Sequence, residues 1–160
     1  MAEAGLVGAR LLRKDLIETG IRSGGRTVGL IEEVVREVGP TIVYTHSIHD
    51  RHQDHRAVSE ATVVATRRVA SVSCYQSPSA TIDYRPTQFV RIERFLERKL
   101  DLLRCFDSQT ASRDYLDPDF VSATARYWTR FGGGTAVEPL EVVRESSEPA
   151  RAFEHHRLET

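Results

Sequence analysis

The chain has 160 residues, of which 40% are hydrophobic and 28% charged, the balance of a folded globular domain rather than a disordered chain. Its formal net charge of -1 gives no overall field that would attract nucleic acid or an anionic membrane, so neither is expected as a partner. No apolar run approaches the roughly 18 residues of a membrane span, and the N-terminus lacks a signal-peptide pattern. We therefore expect a soluble, cytoplasmic protein.

The first half of the sequence predicts alternating strands and helices. Residues 9–12 are a short apolar run that predicts a strand. Residues 26–38 place apolar side chains at helical spacing, and the Gly-Pro pair at 39–40 ends that helix. Residues 41–45 are short, β-branched and apolar, which is typical of a buried parallel strand. Residues 52–69 predict a second helix.

The second half predicts three strands, at 72–76, 89–92 and 136–143, and two helices, at 93–106 and 118–130. After residue 144 the composition becomes that of a mobile tail, so we expect one domain over residues 1–144 and a tail over 145–160. The order of elements predicts an α/β fold with a mostly parallel sheet and flanking helices. Ligands of such folds bind outside the carboxyl ends of the strands.

Four of the six histidines lie within ten residues, directly after the predicted strand 41–45: His46, His49, His52 and His55. If the next helix begins near His52, then His52 and His55 project from the same face. Histidine and carboxylate ligands suit a divalent metal such as zinc. An aspartate beside a histidine, as Asp50 and Asp54 are here, can fix its tautomer or hold it protonated. This loop is therefore the candidate functional site.

Two other interpretations of the loop remain open. Asp50 or His52 can act only as a helix cap, and a histidine-rich surface loop often binds nothing. Alternatively, the four histidines build a metallohydrolase site of a different kind. The position of the cluster behind a predicted buried strand favours a functional site over a structural one.

Residues 40–46 (PTIVYTH) and 50–58 (DRHQDHRAV) resemble the second signature of the PIG-L/LmbE-type zinc-dependent N-acetylglucosaminyl deacetylases, which reads approximately P-x-V-V-x-T-H and D-x-H-x-D-H-R-A-V. Further similarity covers 11–20, 99–109, 126–132 and 136–144. The resemblance implies a Rossmann-like fold and zinc-dependent hydrolysis of an N-acetyl group, commonly from an N-acetylglucosamine unit. It therefore implies a small N-acetylated sugar as substrate.

The resemblance also implies roles for three residues. His55 would be a zinc ligand, and His52 would be the imidazolium that stabilises the tetrahedral oxyanion. Asp54 would orient or charge His52. The roles of His46, His49 and Asp50 stay open. Substrate contacts are expected from the variable loop at residues 77–86.

The first signature of the family, A/P-H-P-D-D-E, has no counterpart in this sequence. In the family it supplies two more zinc ligands and the general base, so the resemblance implies an N-terminally truncated chain with an incomplete site. A non-catalytic Rossmann-like remnant or binding module is the alternative. The strand before that signature would also be missing, which leaves residues 41–45 with an unpaired edge. We therefore expect self-association through that edge or dependence on a partner.

Overall fold

The computed structural model of the protein describes residues 8–105 and 116–146. Within these ranges two helices alternate with two strands, followed by a third strand, three helices and a last strand. Their bounds in chain order are α1 Gly25–Val38, β1 Ile42–Thr45, α2 Gln53–Ala65, β2 Ser71–Tyr75, β3 Gln88–Arg91, α3 Leu96–Arg104, α4 Pro118–Tyr127, α5 Thr129–Gly132 and β4 Val137–Glu145.

The four strands form one sheet in the order β1-β2-β4-β3. β1 and β2 are parallel, with Thr45 opposite Cys74, whereas β4 runs antiparallel to both β2 and β3. The predicted α/β class is thus confirmed, but the described sheet is mixed rather than mostly parallel. The reason is that β4 enters the sheet between β2 and β3 from the opposite end, after α5.

Residues 9–12 form no strand, so that prediction is wrong. The stretch instead runs beside α1, where the Arg10 guanidinium pairs with the Glu37 carboxylate. Leu11 and Leu12 are exposed, so the apolar run that suggested a strand enters no core. Side-chain pairing with a helix replaces the backbone pairing that a strand would need.

The other predicted elements are present, with shifted ends. The helix predicted at 118–130 is divided into α4 and the short α5, and α2 ends at Ala65 rather than at residue 69. Residues 106–109 of the predicted resemblance and 147–160 of the predicted tail lie outside the described residues. Among the residues that are described, no helix is long and apolar enough to cross a membrane.

The core joins the sheet to α2. Val72 of β2, Val137 of β4 and Ala61 of α2 are completely buried. At the carboxyl end of β1, the Thr45 hydroxyl donates a hydrogen bond of 3.3 Å to the Thr62 hydroxyl of α2. These contacts fix the point at which the histidine-rich loop leaves the sheet.

β1 is an edge strand within the described part of the chain, because β2 is its one hydrogen-bonded neighbour there. The Ser71 amide donates to the Thr41 carbonyl, so by the alternation of a strand the backbone groups of Ile42 and Tyr44 point away from β2. Their side chains lie on the sheet face opposite to Thr45 and are 53% and 57% exposed. Both the edge and one face of β1 are therefore uncovered.

We propose that this edge drives self-association, and we expect Tyr44→Lys to weaken it. An apolar free edge invites strand pairing, and lysine on an edge is a common way to prevent it. Losing the apolar contact of one aromatic ring should raise the dissociation constant about tenfold or more. Sedimentation velocity over a range of concentrations measures the change.

The matched control is Val64→Lys, because Val64 is 52% exposed but belongs to α2 rather than to the edge strand. It should leave the association unchanged. A wild-type chain that stays monomeric at every concentration, with cooperative unfolding, would contradict the proposal.

Candidate functional site

The site is built on the loop that joins β1 to α2, residues 46–52. α2 begins at Gln53, and its N-cap is His52, whose ring Nδ1 accepts a 3.2 Å hydrogen bond from the Asp54 amide. The Arg56 side chain donates to the Asp50 carbonyl at 2.7 Å and to the Arg51 carbonyl at 2.8 Å. The start of α2 therefore holds the loop from one side.

A second loop, after β2, holds it from the other side. The Arg51 amide donates to the Ser79 carbonyl at 3.0 Å, and the Thr81 amide donates to the His49 carbonyl at 2.9 Å. Asp50 and Ala80 form an isolated antiparallel bridge between these two bonds. The two loops thus form a short ribbon at the carboxyl ends of the two parallel strands, which is where α/β folds bind ligands.

The Asp50 carboxylate is the centre of this ribbon and is 2% exposed. Its Oδ1 accepts hydrogen bonds from the His52 amide and the Ser79 hydroxyl, both at 2.7 Å. Its Oδ2 accepts one from the Ser77 hydroxyl and lies 2.9 Å from Nδ1 of His55. Burial alone would raise the pKa of this carboxyl, but these four partners outweigh burial and hold the pKa well below its usual value.

Three imidazole rings form a stack above Asp50, with His55 in the middle. The His46 and His55 ring centroids are 3.8 Å apart, and their planes differ by 9°. The His52 and His55 centroids are 4.5 Å apart, with planes that differ by 22°. His52 is exposed, whereas His46 and His55 are partly buried, so the stack leads from the sheet to the surface.

His46 is enclosed by the end of β2. The Tyr75 hydroxyl lies 3.0 Å from Nδ1 and 3.1 Å from Nε2 of the His46 ring. Burial, reinforced by the neighbouring His55 ring, lowers the pKa of His46 from 6.5 to about 4. The ring is therefore neutral at pH 7, which is the form that can bind a metal.

His46, Asp50 and His55 together can hold a metal ion. Each offers one ligand atom, and the three atoms lie within 4.8 Å of one another. Two imidazole nitrogens and one carboxylate oxygen are a donor set that zinc commonly accepts. The residues at the site therefore fit a divalent cation.

Asp54, predicted to orient His52, has other partners in the structure. Its carboxylate accepts hydrogen bonds from the Thr19 amide at 2.6 Å and the Ile21 amide at 3.3 Å. This buried carboxylate thereby attaches the segment before α1 to the start of α2. His49 stands apart from the ring stack, with a side chain that is 42% exposed and 4.0 Å from Glu141.

Sequence reasoning missed Tyr75 and Glu141, and it assigned the serines of the second loop to substrate rather than to Asp50. Tyr75 had a usable signal, because it follows the residue opposite Thr45 and therefore lies beside His46. Glu141 had none. Its carboxylate accepts from the Ser47 hydroxyl, 94 residues earlier in the chain.

Comparison with known proteins identifies relatives of this chain. Residues 4–66 match the family model described as "PIG-L: GlcNAc-PI de-N-acetylase". The uncharacterized deacetylase YaiS of Escherichia coli (strain K12) is 31% identical over 83 residues, which are 48% of this chain and 45% of that protein. The chain thus spans less than half the length of this curated relative. The predicted resemblance to the PIG-L/LmbE deacetylases is confirmed.

Solved structures share the fold. GalB, the 4-carboxy-2-hydroxymuconate hydratase of Pseudomonas putida KT2440, is similar over 95% of this chain and 72% of its own, with a TM-score of 0.76 and 19% identity. The N,N'-diacetylchitobiose deacetylase of Pyrococcus horikoshii is similar over 88% of this chain and 60% of its own, with a TM-score of 0.72 and 15% identity. At such identities the likeness concerns the fold alone.

We expect Asp50→Asn to destabilise the protein by about 1.5 to 3 kcal/mol, the range for hydrogen bonds to a charged group. Urea unfolding at pH 7 measures the loss. Since the folded-state pKa of Asp50 lies below its unfolded value, its contribution is present above about pH 4 and is lost as the pH falls further. The difference between wild type and variant should therefore shrink in acid. Asp83→Asn, at an exposed carboxylate, should cost almost nothing.

A second pH effect is expected from His46 in the metal-free protein. Its folded-state pKa of about 4 lies below the unfolded value of 6.5, so between these values the unfolded chain binds a proton that the folded protein does not. The free energy of unfolding should therefore fall as the pH drops from 6.5 towards 4. His46→Gln should reduce this fall. A histidine signal that titrates near 6.5 in an NMR titration, assigned to His46, would contradict the prediction.

Proposed function

Because this chain resembles the PIG-L/LmbE deacetylases, we propose that it has zinc-dependent N-deacetylase activity and releases acetate from an N-acetylated sugar. The observation that carries the proposal is the match over residues 4–66, which includes the three stacked histidine rings at the carboxyl end of β1. Fold alone does not support a particular reaction, since a hydratase shares it. The residues of the loop carry the argument.

Two histidines take the main roles. We assign His55 as a zinc ligand, and zinc at this position would activate water and polarise the amide carbonyl. His52 lies next to it in the stack and is exposed towards solvent. Since its Nδ1 accepts the Asp54 amide, the ring carries its proton on Nε2. That N–H can donate to the oxyanion that develops on the substrate, whereas the expected imidazolium would require this cap bond to break.

Asp54 contributes by position rather than by direct charge on His52. Its amide fixes the His52 ring, and its carboxylate anchors the segment at Thr19 and Ile21. We propose that the loop at residues 77–86 borders the substrate, since it forms the ribbon with residues 49–51 and carries the fully exposed side chain of Ile82. N,N'-diacetylchitobiose, the substrate in the name of one structural relative, suggests the class of sugar to test. A cytoplasmic location stays a prediction.

The test is release of free amine from N-acetylglucosamine and N,N'-diacetylchitobiose by the zinc-loaded chain. His52→Ala should lower kcat by about 10²- to 10³-fold, as loss of one oxyanion donor does. His55→Ala should abolish turnover together with zinc binding. His49→Ala is the matched control, because it removes a histidine of the same loop that lies outside the ring stack.

The outcome also separates the two candidate functions. A folded, zinc-loaded chain that binds these sugars without releasing amine would support the non-catalytic binding module instead. Equal turnover by wild type and His52→Ala would contradict the role of His52 and leave the reaction class intact.

A further inference from the structure

We propose that His46, Asp50 and His55 are the three protein ligands of one divalent cation, so that this chain binds the ion with its own residues. The inference deepens the proposed function and rests on it for the use of the ion. The family resemblance assigns His55 alone among these residues. The geometry adds His46 and Asp50, to which the resemblance assigns no role.

Spacing is the first argument. Zinc bonds to nitrogen and oxygen are about 2.0 to 2.2 Å long, so neighbouring ligand atoms in one coordination shell lie about 3 to 3.5 Å apart. Nδ1 of His55 and Oδ2 of Asp50 are already 2.9 Å apart. The whole set fits within 4.8 Å, so closing it requires a shift of about 1 to 2 Å, within reach of a side-chain rotation.

The fixed position of Asp50 is the second argument. Its carboxylate is buried and is held by Ser77, Ser79 and the His52 amide. These hydrogen bonds compensate the buried charge and fix the direction of the carboxylate, so Oδ2 is a preorganised ligand atom. Oδ2 faces the His55 ring, so the group that now shares a hydrogen bond with the imidazole can share a cation with it.

His46 supplies the third ligand and already has an outer partner. The His46 and His55 rings stack face to face, 3.8 Å apart, so their in-plane lone pairs lie in nearly parallel planes. A rotation of the His46 side chain about its χ angles is therefore the movement that aims both lone pairs at one ion. The Tyr75 hydroxyl lies within hydrogen-bonding distance of both His46 nitrogens. It can therefore hold whichever nitrogen is not bound, as outer partners of metal-bound histidines do.

The site would also admit water. His55 has a side chain that is 29% exposed, and the stack ends at the exposed ring of His52. Three protein ligands with one accessible position are the arrangement of catalytic rather than structural zinc sites. The inferred site therefore agrees with a hydrolytic role.

Metal titration of the metal-stripped full chain tests the inference without any measurement of activity. Zn²⁺ is added in competition with a chromophoric chelator, and Co²⁺ is added in parallel to read its visible absorption. We expect one ion per chain in the wild type and at least a tenfold loss of affinity in His46→Ala. His49→Ala, which removes a histidine three residues further along the same loop, should bind like the wild type.

Wild-type affinity in His46→Ala would overturn the inference. If His55→Ala still lost the ion, the proposed function would survive with a different ligand set. Conversely, zinc binding through His46, Asp50 and His55 as expected, but without release of amine, would support the inference and contradict the proposed function. Equal, weak binding in all variants would mean exposed histidines only and would overturn both metal assignments.

Tyr75→Phe is the second variant, in case His46→Ala fails to fold. If His46 is a ligand, loss of its outer partner should weaken binding about 10- to 100-fold. Circular dichroism and the unfolding midpoint identify variants that have lost their structure. Unchanged affinity in a folded Tyr75→Phe would count against His46.

Discussion

The buried carboxylate of Asp50 is the constraint on which the site depends. A charge without solvent must be compensated by hydrogen bonds, and here the donors come from two loops and the first turn of α2. Satisfying one carboxylate therefore aligns the loop after β1 with the loop after β2. The same bonds that lower the pKa of Asp50 set the position of the His55 ring.

Local sequence pattern was sufficient to predict most helices and strands and to locate the histidine cluster, since residue spacing and turn residues act over a few positions. It was insufficient where the partner is distant. Residues 9–12 look like a strand, but their surroundings are set by α1. The role of Asp50 stayed open between a helix cap and a histidine partner, because its partners Ser77 and Ser79 lie 27 and 29 residues further along the chain. The direction of β4 was likewise invisible, because strand order is decided by the assembled sheet.

The resemblance identifies related proteins, whereas the structure gives the contacts of each side chain. The resemblance selects a family and points to His52, Asp54 and His55. The geometry shows that Asp54 bonds to Thr19 and Ile21 and that His46 stacks on His55. A fold shared by a deacetylase and a hydratase leaves the chemistry to these side chains. The position of each ring is therefore more informative than the topology.

The free edge and the site are connected by one short strand. β1 has four residues. Within residues 8–105 and 116–146 the backbone groups of Ile42 and Tyr44 point outward with no pairing strand, and His46 follows directly after Thr45. A strand that paired with this edge would restrict the same residues that place His46 beside His55. Pairing at the edge would favour one position of the His46 ring, and that position can favour or disfavour binding at the ring stack. By linkage, ligand binding at the stack would change the free energy of edge pairing by the same amount. The edge of the sheet is therefore part of the environment of the site.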